Sequence, residues 1–107
     1  MRLIEIIDKL FAELDNLEDE ANSANIVLKI SHEDDTLYLD HIGRKNDQKG
    51  SAKPIMKKLT NIADKYKQNI KLYTASYEPK LIQYYEQFGF VPDPEEYDEA
   101  YLVRHPL

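Results

Sequence analysis

The stretch TLYLDHIGRKNDQKGSAKPIMKKLTNIADKY, residues 36–66, decides how the chain is read. Its first seven residues, Thr36–Ile42, suit a β-strand. An irregular polar stretch follows from Gly43 to Gly50. Ile55, Met56, Leu59, Ile62, Ala63 and Tyr66 then recur at three- and four-residue steps, which predicts an amphipathic helix over about 51–67. Pro54 falls in its first turn, where a missing N–H costs little because no intrahelical acceptor exists for it.

The first N–H groups of such a helix lack internal partners, and the helix dipole places partial positive charge there. Small residues at Gly50-Ser51-Ala52 let the backbone approach a ligand, and Lys49 and Lys53 add full charge. This combination suits a phosphate or pyrophosphate, although a glycine before a helix also serves as an ordinary turn. No Gly-Lys-Ser/Thr follows, so this is not a Walker loop, and the three glycines of a dinucleotide fingerprint are absent.

Working outward, Leu3, Ile6, Ile7, Leu10, Leu14 and Leu17 predict a helix over about 2–20. Residues 24–30 (ANIVLKI) read as a strand, and Ser31–Asp35 as a polar hairpin turn before the strand at 36. Beyond the long helix, Ile70–Thr74 is a short strand, and Lys80–Gln87 a helix opened by Pro79 and stopped by Gly89. Residues 90–91 and 100–103 are two last strands, separated by the acidic turn at Asp93-Pro-Glu-Glu96. The order α-β-β-loop-α-β-α-β-β implies one crossover between parallel neighbours, with antiparallel hairpins on either side. The expected fold class is α/β, a mixed and mostly antiparallel sheet flanked by helices. Residues 1–20 form the leading helix and 24–103 the core of a single domain over 1–107.

With 107 residues the chain has room for one modest core. The absence of cysteine excludes disulfides, thiolate metal sites and a cysteine nucleophile, and fits a reducing, cytoplasmic compartment. No apolar run reaches the roughly 18–20 residues of a membrane span, so no membrane partner is expected. His32, His41 and His105 are far apart, with no carboxylate at ligand spacing, and no metal is expected. Charge is unevenly spread. Arg44 to Lys80 holds ten basic and three acidic residues, net +7, while the remainder holds four basic and 17 acidic, net −13. The lysines fit either a solvated helix face or a patch for an anionic ligand, and the acids either solvated turns or a rim for a cation.

Two segments resemble the GNAT N-acetyltransferases. Residues 47–52, Asp-Gln-Lys-Gly-Ser-Ala, are similar to that family's pyrophosphate loop, Gln/Arg-x-x-Gly-x-Gly/Ala, with Asp47 in place of the leading Gln/Arg. Leu81-Ile-Gln-Tyr-Tyr-Glu-Gln-Phe-Gly-Phe90 is very similar to its late Tyr-Glu-x-x-Gly-Phe helix and turn. The likeness covers about residues 24–103, and the short, acidic chain also resembles compact acetyltransferases carried by phages, some of which modify host defence proteins. The resemblance implies a GNAT fold with a shortened N-terminal part and acetyl-CoA as co-substrate. Its pantetheine would pair with the strand ending at Ile42, and Gln48, Lys49, Gly50, Ser51, Ala52 and Lys53 would contact the cofactor.

Amine acylation by a thioester needs a neutral amine, stabilisation of the oxyanion and a proton for the departing thiolate. The resemblance assigns the last role to Tyr85, while Tyr84, Tyr85, Phe88 and Phe90 also read as an aromatic core cluster. Asp40, within the central strand, is the first choice of base, with Asp35, Glu33 and His41 as rivals and a water chain as another route. Some family members carry a Glu six residues before the position of Ile42, where this chain has Thr36, and Glu78 stands where the family often has Asn. The N-terminal part is reduced to one helix, so the acceptor face is expected to be open, suiting a lysine on a protein surface. The acids Glu33, Asp34, Asp35, Asp93, Glu95, Glu96, Asp98 and Glu99 would attract that cationic amine. The same missing wall allows a homodimer. The alternative is a catalytically degenerate GNAT fold that binds acyl-CoA or a protein partner. A nucleic-acid partner is opposed by the net charge of −6.

Overall fold

The computed structural model describes residues 3–45, 51–74 and 79–107, with side chains from Ile7 onward. Helix α1 spans Leu3–Ser23 and buries Leu10, Leu14, Leu17 and Ala21. It runs one turn beyond the expected end because Ala21 is fully buried and extends the apolar stripe. Strands β1 (Ile26–Glu33) and β2 (Thr36–Arg44) form an antiparallel hairpin. The expected turn over 31–35 shrinks to Asp34-Asp35, because Ser31, His32 and Glu33 pair with Tyr38, Leu37 and Thr36. Their polarity reflects an exposed strand, and Asp34 adopts the left-handed conformation (φ 55°) that Asp tolerates in a tight loop. Gly43 and Arg44, expected as loop, are the last residues of β2.

Helix α2 covers Lys53–Lys65 and strand β3 covers Asn69–Tyr73. The helix ends two residues before the expected Lys67. That residue turns left-handed (φ 54°), donating to Asp64 O at 3.3 Å, while Gln68 N reaches back to Ala63 O at 2.8 Å. Helix α3 (Pro79–Glu86) closes in the same way around Gly89, at φ 95°, with Phe90 N directed to Tyr85 O. Strands β4 (Val91–Pro92) and β5 (Tyr101–Arg104) complete the chain, and Phe90, expected in a strand, is buried in the core instead.

The five strands lie in the order β1-β2-β3-β5-β4. Strands β2 and β3 are parallel and every other neighbour is antiparallel, so the sheet is mixed and mostly antiparallel, flanked by helices. Cross-strand register puts Ile26, Leu28, Leu37, Leu39, Ile70, Leu72 and Leu102 on one face. These residues share a single core with Leu10, Leu14 and Leu17 of α1 and Ile55, Met56, Leu59 and Ala63 of α2. Lys29, Ser31, Tyr38, Lys71, Tyr73 and Tyr101 occupy the other face.

Arg104 joins three elements. It is 5% exposed, donates from Nε to Phe88 O at 2.7 Å, and grips the Asp64 carboxylate on α2 through both terminal nitrogens. Among the described residues no helix is long and apolar enough to cross a membrane.

Candidate functional site

Strands β2 and β3 pair only from Thr36–Asn69 to Tyr38–Lys71 and then part. β2 runs on to Arg44 against β1, while Leu72 and Tyr73 pair with β5. The cause lies in the β1–β2 register. Lys29 faces His41 and Ile30 faces Leu39, so Asp40 is an extra residue on β2. A bulge of this kind bends the strand and increases its twist, carrying β2 away from β3. The N–H and C=O groups of β2 beyond Tyr38 that point toward β3 thereby lose that neighbour.

The parting opens a cleft of about 310 Å³, walled by Tyr38, Leu39 and Asp40 on one side and by Lys71, Leu72 and Tyr73 on the other. Asp93, Glu96, Tyr101 and Leu102 complete it. Tyr73 stacks on Tyr101 with ring centroids 4.4 Å apart, giving one wall a paired aromatic surface. Lys71 Nζ lies 3.2 Å from Glu95 Oε2 and 3.4 Å from Asp93 Oδ2, and the Asp93 side chain is only 4% exposed. These carboxylates, Glu95 foremost, hold the Lys71 ammonium above its ordinary pKa. Asp93 also ties the acidic segment down, accepting from Glu95 N at 3.0 Å. Asp40 is exposed at the cleft.

The α2 N-terminus is partly satisfied from within the chain. Ala52, half-buried, is its cap residue and makes no side-chain cap bond, no acidic residue lies in the first turn, and Pro54 has no N–H to offer. Ser51 Oγ accepts from Lys53 N at 3.3 Å, and the Lys53 side chain is exposed. Gln48, Lys49 and Gly50, the remainder of the expected anion loop, lie outside the described residues. Ile42 sits on β2 opposite Leu28 and packs against the core.

Tyr85 is 8% exposed and forms T-shaped contacts with Tyr84 (5.4 Å) and Phe90 (5.7 Å). Burial, together with Tyr84, pushes its phenol above the ordinary tyrosine range. It lies in the core cluster and not among the residues walling the cleft. Thr36 is buried at the start of β2, and Glu33 and Asp35 lie at the hairpin end of that strand. His32 Nε2 is 3.1 Å from Gln68 Oε1 and His105 Nδ1 is 2.9 Å from Asn69 Oδ1. Among the described residues no group of three His, Asp or Glu could hold a metal ion.

The structure therefore brings Asp40 together with Asp93 and Glu96 of the acidic rim in the cleft, and sets Asp35 with Asp93 and Glu95 around a neighbouring hollow of about 240 Å³. Sequence reasoning did not single out Tyr38, Tyr73 and Tyr101 as cleft residues. The signal available was alternation, since Lys71 and Tyr73 share one face of a strand whose other face is Ile70 and Leu72.

No family model matches the chain, and no curated protein matches it. Among solved structures, the anti-CRISPR protein AcrVA5 is similar over 74% of this chain and 88% of its own, with a TM-score of 0.60 and 19% sequence identity. At that identity the likeness concerns the fold.

Proposed function

We propose that the chain has a GNAT fold and acts as an N-acetyltransferase, moving an acetyl group from acetyl-CoA to a cationic primary amine, a lysine on a protein. The observation that carries this is the parting of two parallel strands beside a bulge at Asp40, with a helix N-terminus following the departing strand. Such a gap leaves backbone donors and acceptors of β2 free to pair with an extended amide-bearing chain such as pantetheine. The N-terminus of α2, with Lys53 and no acidic residue in its first turn, suits the pyrophosphate. The acidic cleft suits the amine.

In the reaction the amine nitrogen bonds to the thioester carbonyl carbon, the carbon–sulfur bond breaks, and the thiolate takes a proton. In this reading Asp40, exposed at the cleft, accepts the ammonium proton. In the same reading Tyr85, whose phenol burial holds above the ordinary tyrosine range, returns the proton to the thiolate. Binding in line supplies much of the rate.

One observation favours a second reading, a degenerate fold that binds acyl-CoA or a protein without turnover. The Tyr85 ring is packed among Tyr84 and Phe90 outside the cleft wall. Calorimetric titration with acetyl-CoA, with dephospho-CoA and a Lys53→Glu variant as controls, tests the shared premise. Saturable binding weakened in the variant is expected, and no heat at millimolar acetyl-CoA overturns both acyl-CoA readings. Mass-spectrometric detection of acetylated lysine, lost in Tyr85→Phe, separates turnover from binding alone.

A further inference from the structure

The two edges of the sheet are built differently. The β4 edge is two residues long, ends in Pro92, and is followed by Asp93 and Pro94, all features that discourage further pairing. The β1 edge is eight residues long and has neither Pro nor Gly. Half of its N–H and C=O groups point away from β2, and among the described residues no strand meets them. Along this edge, Phe11, Leu14, Ile30 and His32, with Asp15 and Glu18 of α1, line a groove of about 380 Å³ between α1 and β1. Phe11 is 42% exposed and its ring sits T-shaped on His32 at 5.4 Å.

We infer that β1 is a homodimer interface, pairing antiparallel with β1 of a second copy about a two-fold axis at Ser31. The argument is charge register. Lys29 and Glu33 are exposed on the same sheet face, two residues either side of Ser31. A two-fold axis at Ser31 sets Lys29 opposite Glu33 of the second copy, twice. An axis at Lys29 would oppose two ammonium groups, which is unfavourable. On the helix face the same register places Ile30 opposite His32 of the second copy, with Phe11 bordering the contact. The axis is perpendicular to the sheet, so the two five-stranded sheets become one continuous sheet. Tyr38 and Lys71 share the face of Lys29 and Glu33, so both clefts open on the same side of the dimer. This interface does not depend on acyl-CoA chemistry.

Sedimentation velocity of the full chain over a range of concentrations tests it. The expected result is a species of twice the 12.5 kDa chain mass. Lys29→Glu and Glu33→Lys each raise the dimer dissociation constant about tenfold, and the double exchange restores it. Both positions are exposed, and circular dichroism checks that the single variants fold. A monomer at all concentrations up to several hundred micromolar overturns the proposal. So does a dimer indifferent to the single exchanges, or one that the double exchange does not rescue. A chain that stays monomeric and gains mass only with a different polypeptide assigns the edge to that partner and also overturns it.

Discussion

Arg104 holds Asp64 in a two-pronged grip, Nη1 to Oδ1 at 2.8 Å and Nη2 to Oδ2 at 3.1 Å. The same carboxylate accepts from Leu107 N at 3.0 Å, so one side chain of α2 fastens both β5 and the chain end. The guanidinium side chain is 6% exposed and the carboxylate 25%. Removing the carboxylate leaves a buried cation without its counter-charge. Asp64→Ala is therefore expected to lower stability by about 2–3 kcal/mol, the low side for a buried pair because Asp64 is partly wet. Urea unfolding at neutral pH measures it, and a loss below about 0.5 kcal/mol would show that the pair contributes little.

The pH dependence follows from the same contact. Arg104 holds the Asp64 carboxyl below its ordinary pKa, with the Leu107 N–H adding to the effect. A depressed carboxylate stabilises the fold above its unfolded value, near pH ~4, and that contribution fades as pH falls through the lower folded value. Urea midpoints for the wild type and Asp64→Asn should differ at pH 6 and converge as pH falls below the depressed folded value. Parallel curves across this range would contradict the assignment.

Gly89 is required twice over. Its φ of 95° suits no side chain well, and an added Cβ would sit 3.3 Å from Arg104 Nε. Gly89→Ala is expected to cost about 1–2 kcal/mol through strain at positive φ. Gly43→Ala is the control, because there a Cβ meets no atom closer than His41 Nε2 at 3.4 Å. Thermal melting of the two variants should show a marked drop only for the first.

Lys71 screens the carboxylates beside the cleft. Lys71→Met keeps the aliphatic stem and removes the cation, leaving Asp93 buried without it. If the cleft takes a cationic amine, KM for a lysine peptide should fall several-fold, while stability drops by about 1–2 kcal/mol. The Lys71 pKa is raised, so this stabilisation is fully present below pH ~10 and is lost as pH rises through the folded value. Steady-state kinetics against peptide concentration decide it, and an unchanged KM would remove the cleft from acceptor recognition.

Tyr85→Phe preserves the ring packed on Phe90 and deletes only the hydroxyl. A proton-donor role predicts a fall of about 100-fold in kcat with acetyl-CoA affinity retained. An unchanged kcat would leave Tyr85 as a core residue.

Much of the architecture was legible because burial imposes period on sequence. Leu10, Leu14 and Leu17 gave α1, Ile55 through Ala63 gave α2, and Gly89 marked the end of α3. The boundaries that slipped have local causes. Ser31–Glu33 look like a turn because an exposed strand carries polar residues, and Lys67 occupies a left-handed position that composition does not advertise. In the candidate site, Asp40 was named from its strand, but the bulge that brings it to the cleft was invisible. Bulges arise from the register between two strands, and neither strand encodes that register alone.

By itself the sequence determined the order and type of the elements, the apolar face of each, and the segregation of acidic from basic charge. These follow from periods of two and 3.6 residues and from side-chain chemistry, which are local properties. Only the tertiary structure decided that β5 lies between β3 and β4, that β2 leaves β3 after Tyr38, and that Arg104 meets Asp64 across 40 residues. It also decided that Tyr85 packs in the core while Tyr73 and Tyr101 stack at the cleft. Each of these is a choice among distant partners, made by whichever arrangement buries apolar surface while pairing every buried charge and hydrogen-bonding group.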